Sequence, residues 1–372
     1  MVTDRIDIYT AEAVSLLKEM VAIPSPSFDE SAVCSHICGW MDERDIVHRR
    51  IGNNIIAGNL HDKDGRPTLM LCAHIDTVSP SEGYSFDPYR PQYDSAAEII
   101  GNLTGKACGP EDIVAGLGSN DDGASAVSMI AVYRHFLEDK CPVNLVLVLT
   151  CEEERSGKNG MTGIWPEIAD KIDYAIVGEP TGMKAATSER GLLVIDATAY
   201  GASGHAARNE GVNALYIALE DIARIRSHRF DRTSPKMGNV NLNVTQINCG
   251  TAHNVIPDRC SFVIDIRPTE QYSNEEILDE LQDICRSELK PRNLANRSSA
   301  TREGSPLQAA AESAGIETFS SPTTSDWMRI GCDAVKMGPG ESSRSHKKDE
   351  FVFVSEIREG IETYIDFINK LA

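Results

Sequence analysis

Several positions in the chain join a metal-ligating residue type to a context that would carry it to the edge of a sheet. His74 and Asp76 follow the apolar run Thr68-Leu-Met-Leu-Cys-Ala73, Glu152, Glu153 and Glu154 follow Val143-Asn-Leu-Val-Leu-Val-Leu-Thr150, and Glu179 follows Asp173-Tyr-Ala-Ile-Val177. Asp121 lies in the glycine-rich stretch Gly116-Leu-Gly-Ser-Asn-Asp-Asp-Gly123, and His346 closes Gly338-Pro-Gly-Glu-Ser-Ser-Arg-Ser-His346. A histidine after a strand is, taken singly, an ordinary hydrogen-bonded loop residue. Taken together, His74, Asp121, Glu154, Glu179 and His346 offer nitrogen and oxygen donors with no clustered thiolate, a set that suits two zinc-like ions. Buried carboxylates stay ionised at such a site because the metals offset their desolvation.

The elements that must hold these residues can be read from the same stretches. Runs apolar along their whole length fit strands covered on both faces, and ligands at their C-terminal ends sit where open α/β sheets place their sites. Helices are expected over 9–20 and 30–41, and a further one behind the Gly116–Gly123 loop over 124–138. From about 182 to 300 the order becomes strand, helix, strand, strand, helix, with strands at 192–200, 240–247 and 261–266 and helices at 212–227 and 274–289. That order suits a small two-layer α+β domain. A polar return linker at 290–299 then leads back to an α/β pattern that ends in a helix over 351–371. The fold class is α/β, with a mixed-sheet, three-layer catalytic domain formed by 1–181 and 301–372 and a ferredoxin-like domain, 182–300, inserted into it.

Composition narrows the partners. The chain has 372 residues, 41% of them hydrophobic, and its 36 Lys and Arg against 56 Asp and Glu leave a formal charge of −20. Such a field repels phosphate backbones and anionic lipid, so neither nucleic acid nor membrane is an expected partner. The ten cysteines are scattered without a C-x-x-C pair, which fits a reducing compartment. The acidic start Met-Val-Thr-Asp-Arg-Ile-Asp lacks the pattern of a signal peptide, and no run approaches the roughly 18 apolar residues of a membrane span. A cytoplasmic location is the expectation.

The ordered signatures Ala73-His-Ile-Asp-Thr-Val78, Gly118-Ser-Asn-Asp-Asp-Gly123, Glu152-Glu-Glu154, Gly178-Glu-Pro-Thr181, Gly201-Ala-Ser-Gly-His205, Asn254-Val-Ile-Pro257 and Thr324-Ser-Asp326 span most of the chain. Together they resemble the zinc-dependent aminoacylase and carboxypeptidase family that includes acetylornithine deacetylase, succinyl-diaminopimelate desuccinylase and di- and tripeptidases. The resemblance implies two Zn²⁺, with Co²⁺ as an alternative occupant. Asp121 would bridge them, His74 and Glu179 completing one centre and Glu154 and His346 the other. It further implies that Glu153 is the general base for the attacking water and that Asp76 accepts a hydrogen bond from His74 and fixes its tautomer. The inserted domain would be a lid and dimerisation domain, with His205 reaching the partner subunit's site to stabilise an oxyanion in a homodimer.

Neighbours in a regular strand point to opposite faces, so Glu153 and Glu154 can divide base and ligand roles only where the backbone is irregular. Glu152 stands where the family often has aspartate, which leaves the three glutamates open to a register shift of one. Gly123 stands where the family frequently has lysine. Asn254, Arg267, Thr324 and Ser325 resemble the family groups that hold a substrate carboxylate, with a salt bridge to Asp265 as the other reading of Arg267. Asp326 reads as the cap of a short helix over 327–330. The activity implied is hydrolysis of an N-α-acyl amino acid, foremost N-acetylornithine in arginine biosynthesis, with N-succinyl-ornithine or N-succinyl-diaminopimelate, a di- or tripeptide, or binding without catalysis as alternatives. A dinucleotide-binding reading of Gly116-Leu-Gly118 fails, since the expected third glycine is missing and the loop opens onto aspartates.

Overall fold

The computed structural model describes residues 2–60, 65–208 and 210–371, with backbone only for 2–4. Met1, His61–Asp64, Asn209 and Ala372 lie outside the described residues, and with them the first position of the acidic N-terminal stretch. The chain packs as two units, one of Met1–Thr187, Thr301–Phe319 and Ser325–Ala372, the other of Ser188–Ala300 and Ser320–Thr324.

In the first unit the sheet runs, in order, His48–Ile51, Asn54–Ala57, Asn144–Thr150, Thr68–His74, Tyr174–Val177 and Asp333–Lys336. The last four strands are parallel, and the first two form an antiparallel hairpin on one side. Period-two alternation explains why their sequences are apolar throughout. Leu69, Leu71, Ala73, Leu147, Leu149 and Ile176 join one core, whereas Met70, Cys72, Val146, Val148, Ala175 and Val177 join a second. The helices Val2–Val21, Ser31–Asp42, Ala124–Glu138 and Val354–Asn369 cover the first face, and Met161–Ile168 covers the other. This is a mixed-sheet, three-layer arrangement.

The boundary with the second unit falls after Thr187 instead of after Thr181, because the chain beyond Thr181 first returns to the sheet, where Ala186 pairs with Lys336. Phe351–Phe353 is a strand paired with Ile113–Ala115, so the C-terminal helix starts at Val354 and not at Phe351. The helix Tyr93–Thr104 was not expected from the sequence, and only Ala96, Ala97 and Ile100 are buried along it.

The second unit is a four-stranded antiparallel sheet in the order Asn241–Cys249, Arg259–Arg267, Leu193–Tyr200 and Glu288–Pro291. Leu193, Ile195, Ala197 and Ala199 alternate inward against the helices Ala214–Ser227 and Asn274–Ile284. The second helix stops at Ile284 instead of running to Leu289. Buried Asp221 accepts the N–H groups of Arg286 and Ser287 and the Ser287 hydroxyl, which turns the chain into the fourth strand. Among the described residues no helix is long and apolar enough to cross a membrane.

Candidate metal centre

Strand register brings three of the ligand-bearing segments to one edge. His74 lies opposite Thr150, and Cys72 opposite Val177, so His74, the chain after Thr150 and the chain after Val177 leave the sheet side by side. Between them sits the turn Ser119–Gly123, whose Asp121 and Asp122 have non-helical backbone angles ahead of the helix Ala124–Glu138. Gly118 enters that turn at φ 78°, and a Cβ there would stand 2.6 Å from Thr77 Cγ2. Only glycine meets both conditions without strain. His346 also has positive φ, 58°, and its carbonyl accepts the Ser81 hydroxyl at 3.0 Å.

The side chains converge on Asp121. Its Oδ1 lies 3.2 Å from His74 Nε2 and its Oδ2 3.5 Å from His346 Nε2. His346 Nε2 is in turn 2.9 Å from Glu154 Oε2. One donor atom from each of His74, Asp121 and Glu154 lies within 4.8 Å of the others, and the same holds for His74, Glu153 and Glu179. His74, Asp121, Glu153, Glu154, Glu179 and His346 therefore form one cluster in the first unit.

The three consecutive glutamates are separated by a sharp turn. Glu152 takes φ 60°, and Glu153–Arg155 is a single 3₁₀ turn. The Glu152 carboxylate turns away from the cluster, accepting the Asn159 N–H at 3.0 Å and its amide at 2.6 Å. Its main-chain N–H goes to Glu30, which is fully buried. Asp76 then receives the Glu153 N–H on Oδ1 at 3.0 Å and the Glu154 N–H on Oδ2 at 3.2 Å. These bonds fix the irregular backbone that lets both glutamates enter the cluster. Asp76 departs from its expected part in one respect. His74 Nδ1 is 3.0 Å from the main-chain carbonyl of Asp76, with the carboxylate further away at 3.5 Å. The carboxylate instead serves the glutamate turn and the Ser27 hydroxyl, 2.7 Å away.

Electrostatics in the cluster favour bound cations. Burial, reinforced by Asp326, Glu154 and Asp76, pushes the Glu153 carboxyl well above its ordinary range, and burial with repulsion from Asp121 does the same to Glu179. Burial alone would lower His74, but the nearby carboxylates of Asp121 and Asp76 outweigh this and hold it well above its usual value. Hydrogen bonding to Glu154 raises His346 to about 9. Without a metal the cluster retains protons that a pair of dications would displace, and its hard oxygen and nitrogen donors suit such ions. The residues fit a dinuclear metal-binding site.

The other sequence-derived candidates are not in this cluster. In the second unit His205 is exposed, in the short strand Gly204–His205, whose register pairs it with Val255. Its Nδ1 accepts the Ala207 N–H at 3.2 Å, which leaves the ring proton on Nε2. Asn254 is exposed, and its carbonyl accepts the Ala206 N–H. Arg267 is engaged by Asp265 through two bonds of 2.9 and 3.1 Å, the other of its two readings. Thr324 is half-buried, and buried Ser325 caps the turn Asp326–Arg329 by accepting the Trp327 N–H. The cap is thus Ser325 and not Asp326, because Asp326 points to the Thr150 hydroxyl at 2.7 Å. Ser27, Glu30 and Glu350, all absent from the sequence reading, hold the loops around the ligands through main-chain or hydroxyl bonds. Residue type and spacing give no sign of such contacts.

Residues 187–293 match the peptidase dimerisation domain of the M20 peptidases. The chain is 25% identical to acetylornithine deacetylase of Proteus mirabilis, over 93% of this chain and 94% of that protein. It is 24% identical to succinyl-diaminopimelate desuccinylase of Delftia acidovorans, over 93% and 95%. Its fold is that of aminopeptidase PepT from Bacillus cereus, with a TM-score of 0.76 at 19% identity, covering 97% of this chain and 98% of that one. The signatures, the two-unit architecture and the clustered ligands agree with these likenesses: the chain carries the M20 peptidase dimerisation domain and is similar along most of its length to the acetylornithine deacetylases and the succinyl-diaminopimelate desuccinylases.

Proposed function

We propose that this metal-dependent hydrolase holds two zinc ions and cleaves the amide bond of an N-acylated amino acid. The observation that carries this reading is the division of one carboxylate between two histidines, Asp121 Oδ1 toward His74 and Oδ2 toward His346, with Glu153 beside them. Asp121 would bridge the ions, His74 and Glu179 would complete one site, and Glu154 and His346 the other. Cobalt is the alternative occupant. The metals, when bound, would polarise the scissile carbonyl and acidify water. Glu153 takes the proton of the attacking water at its carboxylate and delivers it to the leaving amine. His205, with its proton on Nε2, is the proposed donor to the developing oxyanion, supplied from the partner of a homodimer formed through the second unit.

For the substrate, N-succinyl-diaminopimelate is the first to test, on the likeness to the desuccinylases. N-acetylornithine is the second, on the likeness to the Proteus mirabilis deacetylase. Asn254, Arg267, Thr324 and Ser325 are the proposed carboxylate-binding groups. Arg267 would exchange the two oxygens of Asp265 for those of a substrate, a like-for-like bidentate pairing. A cytoplasmic setting is supported by ten cysteines that are all free. The deciding experiment measures turnover of both acyl amino acids and of di- and tripeptides by the zinc-loaded protein and by Glu153→Gln. The expected result is activity on an acyl amino acid that falls ~10²–10⁴-fold in the variant at equal metal content. Turnover of none of these amides by the loaded protein would sink the proposal, as would an undiminished Glu153→Gln.

A further inference from the structure

Glu350 lies four residues after His346, is 2% exposed, and spends its carboxylate on the loop that carries Asp121, the shared ligand. Its Oε1 accepts the Asn120 N–H at 2.9 Å and the Asp121 N–H at 3.0 Å. Its main-chain carbonyl accepts the Gly116 N–H at 2.8 Å. The same two segments are joined again through Asn120. Its side-chain oxygen accepts the Glu341 N–H at 2.9 Å, and its amide donates to the Glu341 carbonyl at 3.2 Å and to the Ser345 hydroxyl at 3.4 Å. A buried carboxylate costs several kcal/mol unless donors compensate it, and aligned main-chain N–H groups are strong, directional donors. The orientation of the Asp121 peptide is therefore tied to where Glu350 stands, and Glu350 is tied by sequence to His346.

We propose that Glu350 is the positioning residue of the metal pair: it sets the Asp121 carboxylate between the two histidines, and so the affinity of both ions together. The proposal rests on the dinuclear reading above. Glu350 belongs to neither of the donor groups that converge at the metal centre. It acts through the Asn120–Asp121 backbone, and the segment 341–350 supplies one histidine ligand while orienting the bridge to the other. Because Asp121 belongs to both sites, disturbing Glu350 weakens both ions, whereas removing His346 weakens one.

The test is a Co²⁺ and Zn²⁺ titration of metal-stripped wild type, Glu350→Gln, Glu350→Ala and His346→Ala, followed by calorimetry and by the visible absorption of bound Co²⁺. Loss of an outer partner of a metal ligand costs ~10–100-fold in affinity. Glu350→Gln, which retains an acceptor oxygen, is expected near the lower end for both ions with an altered Co²⁺ spectrum, and Glu350→Ala at or beyond the upper end. His346→Ala should lose one ion only. Excess metal should recover turnover in Glu350→Gln that limiting metal does not. If wild type binds two ions and Glu350→Gln binds both equally well with an unchanged spectrum, the role of Glu350 is overturned. If the metal-free Glu350→Gln protein unfolds, Glu350 serves the fold alone and the proposal fails. If wild type itself binds fewer than two ions, it is the dinuclear reading that fails.

Discussion

Asp76→Asn tests the idea that one carboxylate shapes the glutamate turn. In the native protein Oδ1 receives the Glu153 N–H at 3.0 Å, while Oδ2 receives the Glu154 N–H at 3.2 Å and the Ser27 hydroxyl at 2.7 Å. An asparagine has one oxygen for these two sides. Whichever way the amide turns, its NH₂ faces a main-chain N–H, and one buried donor loses its acceptor. That alone costs ~1–3 kcal/mol, and losing the charge on the surviving bonds brings the total to ~2–4 kcal/mol. If the loss falls on the conformation that delivers Glu153 to its place, kcat drops ~30- to ~700-fold, at a factor of ten per ~1.4 kcal/mol. Metal affinity should change little, because His74 Nδ1 bonds the main-chain carbonyl of residue 76, which asparagine retains. The assay is steady-state turnover of the preferred acyl amino acid alongside metal content and melting temperature. A kcat within about threefold of wild type would refute this energetic reasoning. Loss of activity in step with loss of metal would show that the Asp76 carboxylate acts through His74.

The metal-stripped protein should lose stability as pH rises. His346 is lifted from 6.5 to about 9, so its contribution is complete below pH 6.5 and vanishes as pH passes about 9. Asp122 and Glu350, raised by burial from 3.8 and 4.5 to about 8, add to the fall up to about pH 8, because over that range the native protein holds protons that the unfolded chain has released. The metal must displace those protons, so the gap in melting temperature between loaded and stripped protein should widen from pH 6.5 to 9, and a constant gap in differential scanning fluorimetry would contradict the assignment. His205→Ala should lower kcat ~10²-fold at full metal content. Mixing it with Glu153→Gln should restore one of the two sites in each mixed dimer, and no recovery after subunit exchange would place His205 in its own subunit's site or outside catalysis. Stripping the metals should speed hydrogen exchange at the amides of Asn120, Asp121, Glu153 and Glu154, measured by mass spectrometry against an unaffected Thr68–His74 strand. Unchanged exchange would show that the loops need no metal to hold their shape.

What the sequence made legible follows from periodicity. Strands buried on both faces read as unbroken apolar runs, and the polar residue that ends such a run is conspicuous, which is how His74, Glu153, Glu154 and Glu179 stand out. The inserted order of strands and helices was equally plain, since alternation in 193–200 and a helical period in 214–227 are strong local signals. The fourth strand of that unit was not. Glu288–Pro291 has only Leu289 buried, and its start depends on Asp221, more than sixty residues away in the chain, capturing two amides. The positive φ at Glu152 was hidden for the same reason. Nothing in Glu-Glu-Glu says which residue turns left-handed, because that is decided by Asp76 and Glu30 pulling on the N–H groups on either side.

A common construction links Asp76 to Glu30 and Glu350, two acids that the sequence did not single out. Glu30 takes the N–H groups of Phe28 and Glu152, Asp76 those of Glu153 and Glu154, and Glu350 those of Asn120 and Asp121. Each is buried, and each spends its carboxyl oxygens on main-chain amides at or next to a residue of the cluster. Arginine or lysine in these places would cancel the charge of the ligands and compete with the metals for them. Carboxylates fix the same loops while leaving the site strongly negative. Part of the excess of acid over base in this chain is therefore structural: an outer set of buried carboxylates shapes the loops, an inner set faces the cluster, and a pair of dications is the counter-charge that lets both sets stay ionised.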